Sequence, residues 1–342
     1  TQLNHPSTAA EAAKKIQNAI SSQSNPSSTP LSITAENTFQ HLLNQGERSH
    51  HRTTDSFTRM VEQMVAPHIV QAVDPQHLNG VKVVEQTLGE WLSAILHHPD
   101  FQRLEALWTA TETLLNTDYA DEQQVFVIDV SQAELTREVQ RGNPALADIL
   151  ESHLQNDDQQ REVLLLADYS FGVSDEDQHL LAFCSQLARQ VHGCFLAAAA
   201  TDWQPLGPDI GVQAAHVMLA YPRYLARLPY GQKRQPIDAF DFEELADQPQ
   251  HHELLWANPA FLVGRALIKY QQGDSSDTAL FFGDTPCFSY DRDGESVLQP
   301  ATEVSLTESQ ASALLAQNVV PVLSFKQRPG VRLMALVTLA ES

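Results

Sequence analysis

The stretch from Val163 to Ala198 constrains the fold more than any other part of the chain. Val163-Leu164-Leu165-Leu166-Ala167 is a short, continuously apolar run, and Cys194-Phe195-Leu196-Ala197-Ala198 is another. Between them, Leu180, Leu181, Cys184, Leu187, Ala188 and Val191 recur at the three- and four-residue spacing of one helix face. Ser174 and Asp177 open that helix, and Gly193 is placed to end it. Upstream, Val125-Phe126-Val127-Ile128-Asp129-Val130 reads as a β-branched strand. Ser131 with Glu134 then forms a capping box, and Pro144 opens a further helix to about Leu154. Strand, helix, strand, helix, strand implies a layered α/β core with parallel pairing.

Around this core the pattern changes twice. Residues 1–54 are rich in Ser, Thr, Asn, Gln and His, and offer too little apolar surface to offset chain entropy; they read as a flexible polar arm. Residues 55–120 read as helical. Phe57, Met60, Val61, Met64 and Val65 recur at helical spacing, and a second helix is expected from Lys82 with Val84, Leu88, Trp91, Leu92 and Ile95 on one stripe. Asp100 is placed to cap a third, carrying Phe101, Leu104, Leu107 and Trp108 as far as Asn116. Trp91 and Trp108 are read as core anchors. The α/β core spans 121–235, its last third loop-rich with many prolines. A second α/β part, 236–342, is expected to hold a short acidic helix at 236–245, a helix from Asn258 to Tyr270, and short strands at 279–282, 286–290 and 304–306. A capping box at Thr307 and Gln310 and a terminal hairpin of 319–325 with 331–338 follow. The expected class is α/β of mixed α+β character: a layered core sheet with flanking helices, a helical N-terminal part and a β-rich C-terminal part.

Composition narrows the function. A net charge of −22 disfavours sequence-independent nucleic-acid binding and anionic membrane surfaces, and favours a partner with a basic face. The 3 cysteines, Cys184, Cys194 and Cys287, have no paired spacing and read as reduced thiols. No apolar run reaches the ~18 residues of a membrane span and no signal peptide opens the chain, so a cytoplasmic location is expected. Phosphate-cradling glycine motifs are absent, and Asp168-Tyr169-Ser170-Phe171-Gly172 lacks the first glycine of a nucleophile elbow. The adjacent pairs His50-His51, His97-His98 and His251-His252 lack metal-ligand spacing. No catalytic residue, cofactor or metal is therefore assigned, and an enzyme is not expected. The chemistry-bearing groups that stand out are Arg223, Arg227 and Tyr230, with the acidic run Asp238, Asp241, Glu243 and Glu244. These residues suit either contacts with a partner or bracing between parts of the chain; Arg227 pairing internally with an acid is the plain alternative.

Several segments resemble one family, in its order. Ile95-Leu96-His97-His98-Pro99-Asp100-Phe101-Gln102-Arg103-Leu104-Glu105-Ala106-Leu107-Trp108 is similar to the family's hHPxFQxLExxW segment. Asp168-Tyr169-Ser170-Phe171 resembles its GDYEF, and Phe195 to Ala200 its PFIAAA. Pro222-Arg223-Tyr224-Leu225-Ala226-Arg227-Leu228-Pro229-Tyr230-Gly231 is close to PRVLARLPYG, and Pro236-Ile237-Asp238-Ala239-Phe240-Asp241-Phe242-Glu243-Glu244 to PIEEFxFEE. The family is the large subunit of the type VI secretion contractile sheath (TssC/VipB, ImpC, EvpB), with the C-terminal region shortened here. The resemblance implies a structural protein that assembles with a small sheath subunit (TssB/VipA-like) around an Hcp tube, with baseplate proteins as further partners and strand exchange between subunits. A non-polymerising relative acting as adaptor, cap or regulator is the alternative it leaves open.

Overall fold

The computed structural model describes residues 75–116, 124–142, 145–154, 163–204, 214–245, 248–274, 276, 278–326 and 328–339. The polar arm and the helix expected at 57–65 lie outside these residues. The chain divides into two compact units, 1–87 and 88–342. Of the first, the described part is the opening of helix α1 (Pro75–Leu96), where Val81, Val83 and Val84 are exposed. This helix starts seven residues before the expected Lys82, with Pro75 in its first turn, where the missing N–H costs nothing. Everything below concerns the second unit.

Helix α2 (Pro99–Leu115) follows α1 across a sharp corner. Its N-cap is His98, whose ring Nδ1 accepts from the Asp100 N–H at 3.3 Å, and not Asp100 itself. Pro99 takes the first helical position, so Asp100 falls inside the first turn, where its charge suits the helix dipole. The chain continues through helices α3 (Gln132–Arg141) and α4 (Ala145–Leu154), strand β1 (Val163–Phe171), helix α5 (Asp175–Gln190) and strand β2 (Gly193–Ala199). Ser131 and Glu134 do form a reciprocal capping box on α3. Gly193 does not end α5. His192, at φ 53°, makes the left-handed turn, and Gly193 opens β2 where a Cβ would sit 2.0 Å from the Val163 carbonyl oxygen.

The main sheet runs in the order β1-β2-β3-β9-β10-β6. Its first four strands are parallel, including β3 (Val217–Tyr221) and β9 (Val319–Ser324); β10 (Val331–Leu333) and β6 (Phe281–Phe282) close one side antiparallel. Strand β3 was not expected within the loop-rich 203–235. Its five residues, Val-Met-Leu-Ala-Tyr, suit a helix as well as a strand, and only pairing between β2 and β9 decides. Period-two alternation divides the core into two layers. Phe195, Ala197 and Ala199 of β2, with Val217 and Leu219 of β3, face α5 through Leu180, Leu181, Cys184 and Ala188. Leu196 and Ala220, with Val320 and Val322 of β9, face helix α6 (Ala260–Gln271) through Phe261, Leu262, Val263 and Ala266, backed by Ala110 of α2. The architecture is mixed α/β, with helices on both faces of a mostly parallel sheet.

Smaller elements complete the chain: a β4–β5 pair (Tyr224–Leu225 with Trp256–Ala257), a β7–β8 hairpin (Phe288–Arg292 with Glu295–Gln299) and helix α7 (Glu308–Leu315). The hairpin turns on Asp293 and Gly294, both at positive φ, as a two-residue turn requires. Helix α7 begins at the expected capping box of Thr307 and Gln310. Three expectations fail here. Residues 236–245 form bends and no helix, and 304–306 form no strand. The run from Val125 to Val130 is extended but joins no ladder, with Val127 76% exposed. Beside it, the Gln132 side chain occupies part of the β1 edge: Nε2 donates to the Ser170 carbonyl at 3.1 Å, and Oε1 accepts from the Ser170 N–H at 3.4 Å.

Candidate functional site

The most heavily connected polar group is Arg227, just after β4. Its guanidinium donates through Nε to Glu105 Oε1 at 2.6 Å and through Nη1 to Glu244 Oε2 at 2.7 Å. Nη2 reaches both carboxylates, at 3.3 and 3.1 Å, and Nη1 also donates to the Leu228 carbonyl at 3.0 Å. The Tyr230 ring covers the guanidinium 4.2 Å away. The side chains of Arg227, Glu105 and Glu244 are only 10%, 16% and 3% exposed. Burial works against the Arg227 charge, but hydrogen bonds to Glu244 and Glu105 outweigh it and hold the pKa above the ordinary arginine value. Planar geometry is what lets one guanidinium serve two carboxylates in this way.

Glu244 is the pivot of this network. Oε2 also accepts from the Tyr230 N–H at 2.7 Å, and Oε1 lies 3.8 Å from His97 Nε2 at the α1–α2 corner. Glu105 projects from α2, so one cluster ties the helical pair to the segments at 227–230 and 244. This explains why 236–245 is not a helix. Glu244 must reach Arg227 and the Tyr230 amide, while Glu243 accepts from the Gln232 N–H at 2.9 Å and Asp241 from Gln232 Nε2 at 2.8 Å. A Cβ at Gly231 would meet Glu243 Oε2 at 2.3 Å, so a side chain there would have to displace the Glu243 carboxylate. Asp238 is exposed and stands apart from the cluster.

Arg223 belongs to a second network. It pairs bidentately with Glu303, through Nε and Nη2, both at 2.7 Å. Glu303 Oε1 also meets His251 Nε2 at 2.8 Å, and the His251 ring stacks on Trp256 with centroids 5.6 Å apart. Burial pushes the Glu303 carboxyl up, but Arg223 and His251 outweigh it and hold the pKa below the usual carboxylate range. Of the residues singled out from sequence, Arg227, Tyr230 and Glu244 meet in one cluster. Arg223 is elsewhere, Asp241 and Glu243 lie on the rim through Gln232, and Asp238 stands apart. Glu105, Glu303 and His251 were missed. Glu105 stood within the FQRLEALW stretch at a position facing inward with Ala106, the one signal available for it.

The larger surprise is apolar. Leu88, Trp91 and Ile95 of α1, and Phe101, Leu104, Trp108 and Leu115 of α2, are all exposed, Trp91 at 50% and Trp108 at 57%. The two tryptophans are not core anchors. Only Ala106 and Ala110 of α2 are buried outright, with Leu107 and Leu114 half-buried against the core, so Phe101, Leu104, Trp108 and Leu115 form a separate, outward apolar stripe. Both outward stripes follow three- and four-residue steps, the a/d spacing at which a second helix packs knobs into holes.

No cluster of His, Cys, Asp and Glu among the described residues has the grouping of a metal site. A cavity of about 340 Å³ between α3 and α5 is lined by Thr136, Val139, Gln140, Asp175, Glu176, His179 and Leu180. Its imidazole, His179, has Nδ1 held 2.6 Å from the Asp175 carbonyl oxygen. Ser170 lies within β1 and not on a strand-to-helix elbow. Burial pushes the Cys194 thiol up to about 12 and the Cys184 thiol higher still, which leaves both without thiolate character. Among the described residues, no helix is long and apolar enough to cross a membrane.

Comparison with known proteins gives this architecture a family. The sequence model of VipB (EvpB/VC_A0108, tail sheath N-terminal domain) matches residues 79–207 and 211–339. The chain belongs to the VipB tail sheath family. It is also similar to the type VI secretion system sheath protein TssC1 of Pseudomonas aeruginosa strain PAO1, with 27% identity over 216 residues. That alignment covers 54% of this chain and 43% of the relative, so the chain spans less than half of it. Within the VipB match fall α2, both ion networks, the whole main sheet and the exposed stripe of α2. By that description the VipB family is one of tail sheath proteins.

Proposed function

We propose that this VipB-family chain is a large-subunit-type component of a type VI secretion sheath. It acts in the cytoplasm, pairs with a small sheath subunit and packs around an Hcp tube. The observation that carries the reading is the exposed apolar stripe on α1 and α2. Large aliphatic and aromatic groups held out at a/d spacing lose favourable burial of about 25 cal/mol per Å2 while they face water, and contiguous patches of this kind mark protein contacts. An amphipathic helix of the small subunit is the partner this spacing fits. The Arg227 cluster has the complementary role of fixing α2 on the sheet, so that the stripe is presented from a rigid support. The residues brought together there suit a bracing role: one guanidinium holds two largely buried carboxylates in a fixed hydrogen-bonded network.

The test is co-expression with a small sheath subunit of the TssB/VipA type, followed by negative-stain electron microscopy. The wild type should give helical tubes, and W91S/W108S should purify folded but without its partner. Discrete wild-type heterodimers that never grow would favour the adaptor or cap role instead. Undiminished pairing of W91S/W108S would remove the stripe from the interface.

A further inference from the structure

The chain carries 43 acidic residues, yet none lies between Glu308 and Glu341. In that interval stand Lys326, Arg328 and Arg332, so a chain of net charge −22 holds a local excess of positive charge at its last hairpin. The hairpin's connection is built and pinned. Arg328 stacks over two rings, Phe325 at 4.2 Å and Phe281 of β6 at 4.8 Å, and those rings meet edge to face 5.7 Å apart. Gly330, at φ 103°, donates its N–H to the Thr285 carbonyl at 3.0 Å, and a Cβ there would meet the Phe282 carbonyl oxygen at 2.8 Å. Aromatic stacking holds a guanidinium in place while its N–H edge stays available to a carboxylate. Lys326 and Arg328 are exposed, and neither has a carboxylate within 4 Å among the described residues. The nearby Asp284 is already paired with Arg265, at 2.7 Å.

From this juxtaposition we infer that the Phe281–Phe325–Arg328 cluster, with Lys326, is a docking surface for a carboxylate-rich face of a second copy of this chain. The inference rests on the sheath reading, in which successive copies lie side by side. Charge complementarity selects the occupant. The same chain displays Asp238, Asp241 and Glu243 exposed within six residues, with no Lys or Arg ion pair to any of them among the described residues. A basic patch meeting a different, acidic patch is a head-to-tail contact, the kind that repeats without closing and builds a filament. The overall repulsion between two acidic chains is screened beyond about 8 Å at physiological salt, so local pairing decides the contact.

The experiment uses unlabelled and 15N-labelled chain, each co-expressed with the small subunit, mixed and joined with a zero-length carbodiimide. Mass spectrometry then reads which carboxylates are coupled to the Lys326 amine. The expected result is mixed-isotope pairs between Lys326 and Asp238, Asp241 or Glu243. R328E should stay folded, with a melting temperature only a few degrees below wild type from the lost ring stacking, and lower the yield of these pairs about tenfold or more, since like charges then face one another. D238K/D241K should lower it too, and combining it with R328E should restore part of it. Lys326 coupled only within one copy, only to the small subunit, or not at all would overturn the inference. So would an R328E yield equal to wild type. Tube formation is scored separately: tubes without these pairs sink the contact and leave the sheath reading standing, whereas pairs without tubes do the reverse.

Discussion

Replacing Arg227 by Met tests whether the buried cluster braces the helical pair. The substitution keeps the length and apolar stem of the side chain and removes only the charge and its donors. It leaves Glu105 and Glu244, both largely buried, facing each other with no cation between them, and it strips Glu244 of two of its hydrogen bonds. Breaking a buried ion pair by removing one partner costs about 3–5 kcal/mol, because a charge is left uncompensated. Here two carboxylates are stranded, so the upper part of that range is expected. For a unit of this size each kcal/mol shifts the melting temperature by about 2–4 °C, which gives a fall of about 8–20 °C by calorimetry or circular dichroism. Arg227→Lys should fall between, since an ammonium keeps the charge but cannot fork across two carboxylates. Removing both sides at once is the sharper control. Glu105→Leu with Arg227→Met should cost less than Arg227→Met alone, because one stranded charge has gone. A loss of under about 1 kcal/mol for Arg227→Met would refute the reasoning, since that is the scale of an exposed pair.

Other outcomes follow from single groups. Glu303 has a pKa held below its ordinary value, so its contribution is present above the unfolded carboxylate pKa and is lost as pH falls through the folded one; Glu303→Gln should destabilise at pH 7 by about 1–2 kcal/mol and flatten the acid limb of a stability-against-pH curve. Thr307→Ala removes the N-cap of α7 and should cost about 1 kcal/mol by chemical denaturation. Leu262, fully buried between α6 and the sheet, should cost about 2–5 kcal/mol as Leu262→Ala. Cys184 should stay unreactive to a thiol reagent until the protein is unfolded, whereas prompt labelling of the native chain would contradict its burial.

The parts of the fold legible in the sequence are those where local and global preferences agree. β1, α5 and β2 combine the right length, period and cap, and the capping boxes at Ser131 and Thr307 satisfy orphan amides whatever lies around them. β3 was illegible because five residues of mixed propensity become a strand only by lying between β2 and β9. The bend at 236–245 was illegible for a related reason: the acids look like a solvated helix face until Arg227 and the Tyr230 amide are seen to claim Glu244. Arg227 and Glu244 were picked out by residue type alone, and Glu105, 122 residues away from Arg227 in the chain, could be joined to them only by the fold.

The error over Trp91 and Trp108 is the most informative one. Helical periodicity reports that a face is apolar; it does not report what covers that face. In α2 the inward side is carried by Ala106 and Ala110, with Leu107 and Leu114 packed half-buried against the core, while Phe101, Leu104, Trp108 and Leu115 are left on the outside. A monomer gains nothing from that arrangement. It becomes favourable when a second apolar helix is supplied by another chain, since the area then removed from water is gained on association and not on folding. The acid-free hairpin at the far end of the chain has the same logic in electrostatic form. Among the described residues Lys326 and Arg328 have no carboxylate within 4 Å, and Arg328 is held on two rings, in a molecule whose sequence otherwise abounds in carboxylates. In the sheath proposed above each feature would meet a different neighbour: the stripe a helix of the small subunit, the hairpin the acidic face of a second copy. A protein that must build a two-component lattice needs these two contacts to be chemically distinct, so that neither neighbour can occupy the other's place.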